Sequence, residues 1–140
     1  MRDTPHASRV PALILAGIAI LNLARGAFHW LAPDSGAGSV AGMNLSYPNA
    51  PDVVFLLAVT GVSQLLWGVC YLYIALRQRF LVSFALGTQA ATSALVLVTE
   101  YWLKPPVSPV PGRFAHVTTL ALSVAGLAIA AVVSRRNRRG

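Results

Sequence analysis

Four stretches of the chain are almost purely apolar, at about Val10–Leu31, Val53–Leu76, Phe80–Leu103 and Phe114–Val133. Each is close to the roughly 20 residues that a helix needs to cross the hydrocarbon core of a bilayer. Between them the polar residues and helix breakers collect: "APDSGAGSVAGMNLSYPNAPD" over 32–52, "RQR" at 77–79 and "KPPVSPVPG" over 104–112. The pattern predicts an all-α fold in which residues 1–140 form a single transmembrane domain, an up-down-up-down four-helix bundle embedded in a membrane. "RQR" is short enough to make spans two and three antiparallel neighbours. Val10–Ala24 could also be taken for a signal-peptide core, but Arg25 and His29 follow it directly, and cleavage would leave an odd number of spans.

Charge then gives the bundle an orientation. Arg2, Arg9, Arg77, Arg79, Arg135, Arg136, Arg138 and Arg139 share one side only if both termini lie on it. An excess of Lys and Arg marks cytoplasmic flanks, so both termini are expected inside. The opposite side receives the loop Ala32–Asp52, with Asp34 and Asp52 and no basic residue, and the loop Lys104–Arg113, with two. Trp30, Tyr101 and Trp102 stand where an outer aromatic belt would lie. Apolar Val40, Met43, Leu45 and Tyr47 suggest that part of the long loop folds back onto the bundle mouth.

Composition agrees and excludes alternatives. Hydrophobic residues make up 56% of the chain and charged ones 11%, well below the share in soluble domains. The net charge of +7 sits in short tracts beside apolar runs and forms no stripe with interleaved aromatics, so nucleic acid is not an expected partner. One cysteine, Cys70, within an apolar run, rules out an intrachain disulfide or a cysteine-based zinc site.

Polar side chains inside spans carry the functional question, because in lipid they face the bundle interior or an aqueous cavity. Asn22, Arg25 and His29 share one face of span one by their spacing of three and four. Span two offers Thr60, Gln64 and Trp67, and span three Gln89, Thr92 or Ser93, Val96 and Glu100; span four adds His116. Arg25, His29, Glu100 and His116 fall near the outer ends, and Asn22, Gln64 and Gln89 near mid-membrane. Three stripes in one bundle point to a shared polar cluster. Glu100, the one acidic residue within a span, is the natural ion-pair partner of Arg25. Snorkelling of the guanidinium toward headgroups is the other structural option, and a ligand for Arg25 is the functional one. Small residues recur every four positions at Ser83, Gly87 and Ala91, at Thr119 and Ser123, and at Gly126 and Ala130, as expected for close helix packing or for association between copies.

These residues bear on several chemistries. His29, Glu100 and His116 have the atom types for a metal or a bis-histidine haem, but no motif spacing, and Arg25 beside them opposes a cation; no cofactor is expected. Phosphate-loop, dinucleotide and Ser-His-Asp patterns are absent. A small proton-coupled transporter would use Glu100, and a membrane enzyme the two histidines with Glu100. An anion or polar-lipid site fits best: a fixed charge on Arg25, hydrogen bonds from His29 and the amides, and apolar walls.

"RGAFHWLAPDSGAGSVAGMNLS" followed by "FLLAVTGVSQLLWG" resembles a group of small, uncharacterised bacterial four-span membrane proteins, in which a histidine, Pro-Asp and Gly-rich segment precedes a Gly-x-x-Gln-Leu helix. The matching residues are His29, Pro33, Asp34, Ser35, Gly36, Gly61, Gln64 and Leu65. The whole is also broadly similar in architecture to the DoxX-type four-helix membrane proteins. These resemblances imply a multi-pass protein of the bacterial cytoplasmic membrane and imply no activity. The expectation is a binding or accessory protein with a polar pocket near its outer face for a lipid, a small amphiphile or a partner helix.

Overall fold

The computed structural model describes residues 9–106 and 112–137. Four helices account for most of them: α1 Arg9–Leu31, α2 Ala50–Arg77, α3 Val82–Val98 and α4 Gly112–Asn137. A 3₁₀ turn, Arg79–Leu81, leads into α3, and a π turn, Thr99–Leu103, leaves it. With these turns included, all four are long and apolar enough to cross a membrane. α2 starts three residues before the expected Val53 because Pro51 is preset for a first helical turn and Asp52 complements the positive end of the helix dipole. α4 extends past Val133 with Arg135 and Arg136 in its last turn, where the dipole favours cations.

Glycine contacts fix the directions of the helices. Cβ atoms added at Gly26 and at Gly61 would lie 2.7 Å and 2.8 Å from the other's carbonyl oxygen, so α1 and α2 touch backbone to backbone there. Further along, a Cβ at Gly68 would meet Leu23 at 2.7 Å and the Ala19 carbonyl at 3.1 Å. As the α2 number rises the α1 number falls, and the pair is antiparallel. In the second hairpin Ser93 meets Thr119 and Gly126 abuts Leu86, which is again antiparallel. α1 also packs on α4, so the two hairpins are joined through these helices.

α2 and α3 are the exception among neighbours in sequence. They are antiparallel, as the three-residue connection requires, but they barely pack. Tyr71, Ala75, Val82, Ala85 and Leu86 close the gap at the end bearing Arg77 and Arg79, together with Leu15, Ile18 and Ala19 of α1. There the Tyr71 hydroxyl lies 3.3 Å from Thr88 Oγ1, which itself donates to the Ala85 carbonyl, so Tyr71 is the donor. Toward the other end, which carries loop 32–49, no hydrogen bond joins α2 to α3 among the described residues. A short turn therefore dictates direction but not contact along the whole length.

The small-residue ridges separate into two kinds. Thr119, Ser123 and Gly126 are buried against neighbouring helices. Ser83 and Ala91 are exposed, and nothing lies within 4 Å of a Cβ added at Gly87, so this ridge is no packing face among the described residues. Outward faces elsewhere are apolar, with Leu13, Phe55, Leu66, Phe84 and Phe114 all well over half exposed.

Gly61→Ala should lower the thermal midpoint of the detergent-solubilised protein, by about 1 to 3 kcal/mol of stability, because its methyl group would overlap backbone that cannot rotate away. Gly87→Ala meets open space and should match or exceed the parent. Equal melting of Gly61→Ala and parent would show that the α1–α2 contact is dispensable.

Candidate functional site

A cavity of about 810 Å³ occupies the loop end of the bundle, within the usual size range of ligand pockets. α1 contributes Asn22, Arg25 and His29 to its wall, α2 Gln64, α3 Gln89, the π turn Glu100 and α4 His116. These are the seven intramembrane candidates of the sequence, brought together from every helix. Leu57, Trp67 and Val96 supply apolar wall, and Val40, Ala41 and Met43 of the loop reach it from above. Below, the apolar core around Leu15, Ile18 and Leu86 seals the bundle.

One side of the cavity is a directed chain of hydrogen bonds. Thr119 donates to the Ala115 carbonyl at 2.9 Å, so its oxygen accepts from the Ser93 hydroxyl, also at 2.9 Å. Ser93 Oγ in turn accepts from Gln89 Nε2 at 3.1 Å, and Gln89 Oε1 accepts a long bond from Asn22 Nδ2 at 3.4 Å. The chain runs from α1 through α3 to α4. It uses the small buried Ser93 and Thr119 as links, and each such bond in a membrane is worth about 0.6 kcal/mol on average. Gln64 has no counterpart: its Oε1 is buried without a hydrogen-bond partner among the described residues.

The charges pair differently from the simplest expectation. Glu100 Oε2 lies 3.9 Å from Arg113 Nε, and this, with the guanidinium stacked 4.4 Å above the Tyr101 ring, defines the acidic corner. It is an ion pair without a hydrogen bond. Arg25 has no ion pair within 4.0 Å and donates no hydrogen bond among the described residues. Within ion-pair distance Glu100 meets Arg113, while Arg25 stays more than 4.0 Å away, still within the electrostatic reach of Glu100. Arg113 escaped the sequence reading because it was counted with the loop Lys104–Arg113. Its signal was position: with α4 starting at Gly112, it enters the bundle at a depth matching Glu100, only a few residues from its own end. The π turn closes with Lys104 N–H donating to the Thr99 carbonyl at 2.8 Å, and such turns are frequent at functional sites.

Over the cavity the loop is built around Asp34. Its Oδ1 accepts from the Gly36 N–H at 2.9 Å and the Ser39 hydroxyl at 3.0 Å, and Oδ2 from the Ser39 and Gly38 N–H groups at 2.6 and 3.1 Å. Hydrogen bonds from the Ser39 and Gly36 N–H groups lead in lowering its pKa from 3.8 to about 2. Ser35 and Gly36 have φ of 50° and 80°, the left-handed pair of a type I′ turn, and the Ala37 N–H closes it on the Asp34 carbonyl. A Cβ on Gly36 would also strike Phe28 at 2.9 Å. His29 Nδ1 is 2.6 Å from the Ser35 carbonyl. A carbonyl only accepts, so Nδ1 carries the proton of this bond. Asp34 itself is not on the cavity wall; it shapes the cover. Val40 and Met43 line the mouth, as their apolar character suggested, though both keep an exposed side; Tyr47, equally exposed, does not reach the cavity wall.

Among the described residues no three His, Cys, Asp or Glu side chains converge into a metal set, so His29, Glu100 and His116 share the cavity without forming one ligand group. What the arrangement offers chemically is a cation outside ion-pair distance of the nearby Glu100, hydrogen-bonding amides and apolar walls. Comparison of the chain with protein-family models, with curated proteins and with solved structures finds no match.

Two measurements check this geometry. Double-mutant cycles on folding stability should give a larger coupling for Glu100→Gln with Arg113→Gln than for Glu100→Gln with Arg25→Gln; the reverse order would restore the Arg25 bridge. The Asp34 carboxyl, followed by NMR, should titrate near pH 2. Because its folded pKa is depressed, its contribution to loop stability is complete above pH 3.8 and is lost as pH falls through about 2. A midpoint near 3.8 would mean that the Asp34 turn does not form.

Proposed function

We propose that this chain is a small multi-pass protein of the bacterial cytoplasmic membrane, with both termini cytoplasmic, that binds a lipid or small amphiphile in its cavity. The arginines at the ends of α1, α2 and α4 support the orientation, since the positive-inside rule then places all of them in the cytoplasm. The cavity accordingly lies on the extracytoplasmic side, beneath the loop 32–49.

The single observation behind the binding role is the joining of Arg25, which makes no ion pair within 4.0 Å among the described residues, to apolar wall within one cavity of ligand size. A bundle that only needed to hold itself together would gain from neutralising or removing such a charge, which costs about 2.5 kcal/mol or more at membrane depth. The unpaired guanidinium and the space beside it fit an occupant that supplies polar atoms at one end and hydrocarbon at the other.

Mass spectrometry of gently purified protein should reveal a co-purifying amphiphile in near-stoichiometric amount. Val96→Trp, which fills the cavity from α3, should reduce it several-fold without changing the folded yield. A preparation with no retained amphiphile, or equal retention by the filled variant, would sink the reading. Independently, reporter fusions at Gly140 and within the Ala37–Gly42 loop should report cytoplasm and periplasm respectively; the opposite pattern inverts the bundle.

A further inference from the structure

We infer that the occupant of the cavity is a singly anionic amphiphile, its head group held by Arg25 and its chain lying in the gap between α2 and α3. This rests on the binding role proposed above and specifies its ligand.

The charge balance supplies the first argument. Arg25 and Glu100 line the cavity, and Arg113 stands against Glu100 at 3.9 Å. These three permanently charged side chains carry one net positive charge, and Arg25 is the cation that faces the cavity. His29 and His116 do not offset it, because a histidine supplies no negative charge. The first turn of α4 adds to the surplus: Gly112, Ala115 and His116 line the cavity, and the N-terminus of a helix carries partial positive charge and free N–H groups. A neutral or zwitterionic head group leaves that surplus in place. A monoanion cancels it and can take two parallel hydrogen bonds from the guanidinium.

Shape supplies the second. The cavity is floored by the apolar core and roofed by the loop through Val40, Ala41 and Met43. Its weak wall is lateral, where α2 and α3 separate beyond the Tyr71–Thr88 contact. Trp67 and Thr92 stand on the two sides of this gap, both lining the cavity and both exposed. A small soluble anion would have no use for such an opening. A hydrocarbon chain fits it, with the head group inside at Arg25 and the tail reaching outward past Trp67.

The test uses Trp67 as reporter in detergent-purified, delipidated protein carrying Trp30→Phe and Trp102→Phe. Four probes brominated at mid-chain are titrated: a fatty acid, a lysophosphatidylglycerol, a lysophosphatidylcholine and a monoacylglycerol. The fatty acid and the lysophosphatidylglycerol, both monoanions, should quench Trp67 saturably, competed by their unbrominated forms. Their apparent affinity should exceed that of the zwitterionic and neutral probes by about tenfold, the weight of one charge-assisted hydrogen bond. Whichever of the two anions binds more tightly identifies the head group as carboxylate or phosphate. Arg25→Gln should bring all four within about twofold of one another, on the same accounting. Selectivity in the unsubstituted site decides the matter even if that variant does not fold. Equal saturable quenching by all four probes would overturn the anion assignment and leave amphiphile binding intact; the absence of saturable quenching by any would overturn both.

Discussion

The contact on which the architecture turns is the backbone approach of α1 and α2 at Gly26 and Gly61. Without side chains at that crossing the two helices meet backbone to backbone, and Gly68 continues the seam toward the opposite end. A helix drawn so tightly to one neighbour has less surface left for the rest. α1 still reaches α4, but α2 turns only a narrow edge toward α3, and the second hairpin is left to close on itself through Ser93, Thr119 and Gly126. The void between the hairpins is thus the complement of a close fit elsewhere. It also gives the Gly-x-x-Gln-Leu segment a physical content: Gly61 makes the crossing, Leu65 packs over Gly26, and Gln64 is directed at the cavity.

Polar groups divide along the same line. Where helices pack, they are joined into a chain with a defined donor at every step, from Asn22 to the Ala115 carbonyl. Where helices part, they are left with incomplete partners, as in Gln64 Oε1, the hydrogen-bond-free Glu100–Arg113 pair and Arg25. Unmet hydrogen-bonding capacity in an apolar setting is costly. Apart from the Ser123 hydroxyl, deeper in α4, the buried groups that carry it among the described residues gather at the loop end of the bundle.

Much of this was legible in the sequence because long apolar helices announce themselves by length and apolarity. The four helices fell within a few residues of their expected bounds, and helical spacing placed Asn22, Arg25 and His29 on one wall. Pairing across helices was not legible, since it depends on rotations that no single helix encodes. Glu100 chose Arg113 over Arg25 because α4 starts early enough to bring Arg113 level with the π turn. The ridge of Ser83, Gly87 and Ala91 looked like a packing face and is not one among the described residues, whereas the glycines that do make the α1–α2 contact are spread over two different helices and show no four-residue repeat. Opening between α2 and α3 was hidden for the same reason: a three-residue turn constrains ends, and the degree of splay is settled elsewhere.

The Asp34 turn has a consequence for how the cover of the cavity behaves as a mechanical part. Its carboxylate is satisfied within five residues by N–H groups and a hydroxyl, with no lysine or arginine brought in from another segment. Salt screens interactions between separated ions and has little hold on hydrogen bonds made inside one turn. The segment from Ala32 to Ser39 therefore carries its own shape, insensitive to ionic strength and independent of whether α3 and α4 are drawn together or apart. Movement of the hairpins would carry it along as a preformed piece, tethered to α1 through the His29 ring.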